Sequence, residues 1–123
     1  MAIAGQLVFP ACVYLEGDLG AGKTTLCQSI IHGFGYQGSV TSPTYNLIQE
    51  YTVEQGTIYH MDLYRLNDPA ELEFLALEDL WSQSSLFLIE WPSKGEGMLR
   101  NATHQINIVE HMNTREISLL SST

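Results

Sequence analysis

The stretch Gly17-Asp18-Leu19-Gly20-Ala21-Gly22-Lys23-Thr24 constrains this chain more than any other, because it matches G-x-x-x-x-G-K-[ST] at every fixed position. Glycines at both ends let the backbone curl until successive N–H groups converge on a nest fit for a phosphate. Lys23 adds a positive charge within reach of β- and γ-phosphates, and the Thr24 hydroxyl is a hard oxygen ligand for Mg²⁺. In a chain of 123 residues the four fixed positions arise by chance on the order of once in a few hundred sequences, so context decides. Ahead of the loop, Ala11-Cys12-Val13-Tyr14-Leu15 is a short, nearly unbroken apolar run, which predicts a strand buried on both faces. Behind it, Leu26, Ile30, Ile31 and Phe34 recur at helical spacing until Gly33 and Gly35 end the pattern. Strand, glycine loop and helix together predict an α/β chain that binds a nucleoside triphosphate.

A second half-site is legible downstream. Leu86-Phe87-Leu88-Ile89-Glu90 is four apolar residues ending in a carboxylate, the pattern of the strand whose acid holds Mg²⁺ directly or through water in phosphate-loop enzymes. Trp91-Pro92 terminates that strand. Tyr45 to Val53 and Thr57 to Tyr64 are β-prone runs separated by Glu54-Gln55-Gly56, which predicts a hairpin. Within the second run Tyr59, Met61 and Leu63 share one face, and Ile58, His60, Asp62 and Tyr64 share the other. Asp62 thus leaves the more polar face near the expected site, although a strand-end Asp also serves as a turn or cap residue. The polar segment Gly35 to Thr44 lies where a nucleotide-sensing loop would sit. Its Thr41, Ser42 and Thr44 offer hydroxyls to a metal or γ-phosphate, while Ser-Pro-Thr is also ordinary turn chemistry.

Asp68-Pro69-Ala70-Glu71 predicts a helix start, with Asp68 as cap, Pro69 in the first position and Glu71 closing a capping box. Leu72, Leu75 and Leu80 form its apolar stripe, and Glu71, Glu73, Glu78 and Asp79 its solvated side. Gln105 to Val109 and Arg115 to Leu120 predict a last hairpin, and Ile3, Leu7 and Val8 a short helical end packed on the sheet. One domain spanning residues 1–123 is expected. No apolar run approaches the ~20 residues needed to span a bilayer, and the first residues lack a basic signal-peptide region. Cys12 and Cys27 fall in the core strand and helix and read as buried thiols in a reducing, cytoplasmic setting. His32, His60, His104 and His111 show no paired metal-ligand spacing. With 5 Lys and Arg against 14 Asp and Glu, the net charge of −9 disfavours direct nucleic-acid binding. A role near RNA would run through a protein partner.

Taken together, the phosphate loop through Thr25, Ser42-Pro43-Thr44-Tyr45, Tyr59-His60-Met61-Asp62-Leu63-Tyr64-Arg65 and Glu90-Trp91-Pro92 resemble the TsaE (YjeE) family of bacterial tRNA threonylcarbamoyladenosine biosynthesis, in family order, from about residue 13 to residue 120. The family carries an extra helix and strand ahead of the phosphate-loop strand, and here Met1 to Pro10 stands in that region. The resemblance implies a compact ATPase with a phosphate-loop sheet and flanking helices, working with the TsaD and TsaB proteins. It implies that Asp18, Leu19, Gly20, Ala21, Gly22, Lys23, Thr24 and Thr25 bind ATP phosphates, with Lys23, Asp62 and Glu90 in the catalytic centre. Thr24, Glu90 and Asp62 would hold Mg²⁺, and Trp91, Ser93, Lys94 and Arg115 would line the nucleotide pocket. Two other functions fit a phosphate loop: a small-molecule kinase, and a nucleotide-dependent switch with negligible turnover. A kinase needs an arginine-bearing lid, and beyond Glu90 the chain offers only Arg100 and Arg115.

Overall fold

The computed structural model describes residues 3–18, 22–41, 43, 47–111 and 114–121. Six strands form one sheet in the order β2-β3-β4-β1-β5-β6. They are β1 (Ala11–Glu16), β2 (Ile48–Val53), β3 (Gly56–Asp62), β4 (Ser85–Glu90), β5 (His104–His111) and β6 (Thr114–Ser121). The inner four, β3, β4, β1 and β5, are parallel, and each outer strand is the antiparallel hairpin partner of its neighbour. The helices are α1 (Lys23–Gly33) and the one-turn α2 (Leu77–Leu80), with 3-10 segments at Ile3–Gln6, Pro69–Leu75 and Pro92–Gly95.

Strand alternation divides the apolar residues between two cores. On one face Val13, Leu15, Ile58, Leu86, Leu88 and Ile106 pack against Cys27, Ile30 and Ile31 of α1. On the other, Cys12, Tyr59, Met61, Phe87 and Ile89 pack under Leu63, Leu66 and Leu72. All six residues of β4 are buried, as a central parallel strand covered on both faces requires. Each fully buried Leu or Ile contributes about 1.5–3 kcal/mol, so these two layers carry the fold.

The connections position the site. From β1 the chain runs through α1 and the β2 strand to β3, across one face; from β4 it crosses to β5 over the opposite face. Connections leaving neighbouring parallel strands in opposite directions open a crevice at their carboxyl ends. That crevice lies between Glu16 and Glu90.

Several sequence expectations change in detail. The first hairpin strand begins at Ile48, because Leu47 has a left-handed backbone (φ 62°) that breaks the run expected from Tyr45. Residues 44–46 lie outside the described residues. The hairpin turn closes tightly: a Cβ on Gly56 (φ +152°) would stand 1.9 Å from the Ser84 carbonyl oxygen. Asp68 caps the next segment with the expected capping box, yet that segment is 3-10 and is interrupted at Ala76 (φ 48°) before α2 begins. Glu71, Glu73, Glu78 and Asp79 are exposed, as expected. The helical end expected near Ile3 is a 3-10 turn, from which Leu7 enters the core and Val8 points outward, 74% exposed. Both cysteines are free and buried.

Candidate functional site

The helix α1 starts at Lys23, directly after Gly22, whose φ of 94° is open to glycine and strained for other residues. Among the described residues no side chain caps this helix start. The first-turn N–H groups of a helix have no intrahelical acceptor and are therefore available to an anion. Leu19, Gly20 and Ala21 lie outside the described residues, and Asp18 is exposed.

Two side chains from the first turn of α1 reach the acid strand. Thr24 Oγ1 lies 3.1 and 3.0 Å from Oε1 and Oε2 of Glu90, to which it donates. Lys23, only 5% exposed, donates from Nζ to the Gly17 carbonyl and lies 3.6 Å from the centroid of the Trp91 ring. Burial pushes the Lys23 pKa below its ordinary 10.5, against the pull of Glu90, Asp62, Asp18 and Glu16 in the other direction. Trp91 takes a left-handed backbone (φ 56°, ψ 52°) as the chain leaves β4, and its ring also meets Tyr64 at 5.0 Å.

Parity and register explain the carboxylates. Glu90 has the same parity as Leu86 and Leu88, so it faces α1, and in the parallel β3–β4 pair it stands beside Asp62. Glu90 is 2% exposed, and a buried carboxylate must have donors. Thr24 is one. The other is His60 of β3, fully buried, whose Nε2 is 2.6 Å from Glu90 Oε2. Asp62 accepts from the Tyr64 backbone N–H at 3.0 Å. Its pKa is raised, mainly by burial, with that N–H pulling it down, Glu90 pushing it up, and His60 and Lys23 lowering it.

Gly22, Lys23, Thr24, Thr25, Asp62, Tyr64, Glu90 and Trp91 line one open cavity of about 310 Å³. The Thr24 hydroxyl and the Asp62 and Glu90 carboxylates among these are hard oxygens that suit Mg²⁺ rather than a soft ion. The other expected residues fall elsewhere. Ser93 lines a separate cavity with Tyr14, Glu16 and Asn101. Lys94 is exposed beside Tyr64, with Nζ 5.8 Å from that ring. Arg115 stands opposite Glu110 on the outermost strand, and its side chain lies outside the described residues. Of the hydroxyls expected in a sensing loop, Ser42 and Thr44 lie outside the described residues. Thr41 engages the Tyr51 hydroxyl through its backbone.

His60 is the residue that sequence reasoning missed. Spacing along the chain shows no ligand pairing, because its partner lies 30 residues away on the adjacent strand. The available signal was its place two residues before Asp62, on the same strand face.

A buried strand, a helix that opens directly after Gly22, and a first-turn threonine bonded to the acid that ends the adjacent parallel strand define a mixed six-stranded α/β protein with its cleft at the strand ends. Within that class the chain belongs to the TsaE family: the family model described as threonylcarbamoyl adenosine biosynthesis protein TsaE matches residues 1–117. It is 50% identical over 111 residues to the tRNA threonylcarbamoyladenosine biosynthesis protein TsaE of Haemophilus influenzae, covering 90% of this chain and 70% of that one. The protein of the same description from Synechocystis is 41% identical over 96 residues, covering 75% and 60%. The crystal structure of Bacillus subtilis YdiB aligns with a TM-score of 0.72 and 31% identity, over 98% of this chain and 74% of that one. The chain therefore spans 60–74% of the length of these three proteins. No helix among the described residues is long and apolar enough to cross a membrane.

Proposed function

We propose that this cleft binds ATP with Mg²⁺ and hydrolyses it, and that the turnover serves the threonylcarbamoyl modification of tRNA adenosine together with TsaD and TsaB in the cytoplasm. The observation that carries the reading is the Thr24–Glu90 contact beside Lys23, which joins the loop helix to the acid strand. In this reading the α1 amides and Lys23 hold the phosphates, while Thr24 and Glu90 hold the metal, with Asp62 beside them. Bound Mg²⁺ would supply charge neutralisation to the phosphates. In the same reading Asp62, partly buried, with a raised pKa and beside Glu90 in the register, would accept a proton from an attacking water or order it.

The relatives' description supplies the pathway, and the chemistry favours dependence on partners. Arg100 is committed elsewhere: its guanidinium lies 3.8 Å from the Trp81 ring centroid and 3.5 Å from Glu78. It is thus not poised at the phosphates, and an arginine supplied by a partner is worth ~10³–10⁵ in rate. The test is phosphate release by the purified chain alone, with the TsaD–TsaB pair, and with small hydroxyl acceptors. Slow release alone and a rise with the pair are expected. Full-speed turnover without partners, or transfer to an acceptor, would overturn the assignment.

A further inference from the structure

We propose that His60 is the positioning residue of the metal site: its Nε2–H fixes the Glu90 carboxylate in the orientation that receives Mg²⁺. The inference rests on the ATP and Mg²⁺ reading above. His60 is 0% exposed and Glu90 2%, so water is not available to replace their contact. At 2.6 Å the pair shares a hydrogen rather than an ion, because two ligands of one tetrahedral ion stand about 3.3 Å apart. The donor atoms of Cys27, His60 and Glu90 lie within 4.8 Å of one another, and Cys27 belongs to the buried face of α1 that packs on the core.

The geometry divides the labour of the carboxylate. His60 comes from β3, below the end of β4, opposite Leu88 in the register and one turn of the pleat behind Glu90. Thr24 comes from α1, on the cavity side. Held by Oε2 from below, Glu90 cannot rotate about its terminal torsion, which is otherwise broad, and one edge stays turned toward Thr24 and the cavity. Partners that orient a ligand typically matter by 10–100-fold in metal affinity or activity. Among the described residues His60 Nδ1 has no hydrogen-bond partner, so the ring's one hydrogen bond is to Glu90.

The experiment measures binding, not turnover. A non-hydrolysable ATP analogue is titrated calorimetrically into the full chain at graded Mg²⁺ and in EDTA, for wild type and for His60→Leu, His60→Asn and His60→Gln, with thermal unfolding as the check on folding. Leucine removes the donor, asparagine places one short of Glu90, and glutamine carries one to about the reach of Nε2. Expected are a half-saturating Mg²⁺ raised about tenfold for His60→Leu and His60→Asn, near-wild-type values for His60→Gln, and unchanged affinity in EDTA. If His60→Leu does not fold, His60→Asn against His60→Gln makes the same comparison. Wild-type Mg²⁺ dependence in a folded Leu or Asn variant overturns the proposal, as does equal loss with and without Mg²⁺, which marks a merely structural role. Analogue binding by the wild type that ignores Mg²⁺ would instead sink the metal reading, and this inference with it.

Discussion

Replacing Glu90 by glutamine separates the charge of the acid strand from its shape. Glutamine is nearly isosteric, its carbonyl can still accept from His60 Nε2, and the Thr24 hydroxyl can rotate to accept from the new amide. The contacts at 2.6 Å and at 3.0–3.1 Å therefore survive in outline. What disappears is one negative charge. A hydrogen bond to a charged group contributes about 1.5–3 kcal/mol and a neutral one about 0.5–1.5, so the direct loss is about 1 kcal/mol for each of the two donors, His60 and Thr24. The released cost of burying a carboxylate at 2% exposure offsets part of it. For a chain of 123 residues the melting temperature is expected to move by less than about 5 °C. On the proposed reading Mg²⁺ would be affected far more, since it would lose an anionic oxygen outright. A loss of about 1.5–3 kcal/mol is expected in the Mg²⁺-dependent part of nucleotide binding, roughly 10–150-fold in Kd. The assay is titration of ATP into Glu90→Gln with Mg²⁺ and with EDTA. Wild-type tightening by Mg²⁺ in a folded Glu90→Gln protein would refute the reasoning.

Three further outcomes are expected. Lys23→Ala should bind ATP at least tenfold more weakly, both with Mg²⁺ and in EDTA, because its ammonium is the buried cation of the cavity; unchanged calorimetric affinity would contradict this. Asp62→Asn should keep nucleotide affinity within about threefold while turnover falls by about 10²–10⁴. If Asp62→Asn instead loses the Mg²⁺ effect that Glu90→Gln retains, the two carboxylates have exchanged roles. At alkaline pH, burial raises Cys12 from 9.0 and Tyr14 from 10.0, each to about 12. Both stay protonated in the fold longer than in the unfolded chain, so their stability is fully present below pH 9 and lost as pH rises toward 12. Each ionising group adds up to about 1.4 kcal/mol per pH unit to that slope. Tyr14→Phe should flatten the decline measured by urea unfolding between pH 10 and 12, and an unchanged slope would show that Tyr14 does not drive it.

Much of this arrangement is legible in the sequence, for identifiable reasons. The phosphate-loop strand and the acid strand are buried on both faces and read as unbroken apolar runs, which few other structures tolerate. The period of Leu26, Ile30 and Ile31 gives α1 and its buried face. Asp62 emerges on the face shared with Ile58 and His60 because strand alternation allows no other outcome. What alternation could not give is the nature of that face. His60 looks polar in the sequence and is fully buried, because β3 lies against β4 and under α1, and only the parallel register puts it within reach of Glu90. The break at Ala76 is equally hidden: the capping box at Asp68 promises a helix, but the continuation depends on packing over Phe87 and Ile89. Ser93 and Lys94 follow Glu90 closely in sequence and yet fall outside the cavity, because the chain turns at Trp91.

That turn is where geometry and strain meet. Glu90 must face α1, and one residue earlier or later the side chain would enter the opposite core or leave the sheet; Ile89 shows the former. The next residue must then reverse the chain toward β5 on the face away from α1. Trp91 does so with φ 56°, a conformation that costs an L-residue roughly 1–2 kcal/mol. Glycine would adopt it freely, but glycine would leave Lys23 uncovered. With tryptophan the same backbone lays an indole 3.6 Å from Nζ, and a buried cation over an aromatic face gains up to about 2 kcal/mol. The strain at Trp91 is thus offset by the contact its indole makes with Lys23. That contact also keeps the ammonium at the cavity edge, beside the Gly17 carbonyl, where an incoming phosphate would displace it from a neutral oxygen onto an anionic one.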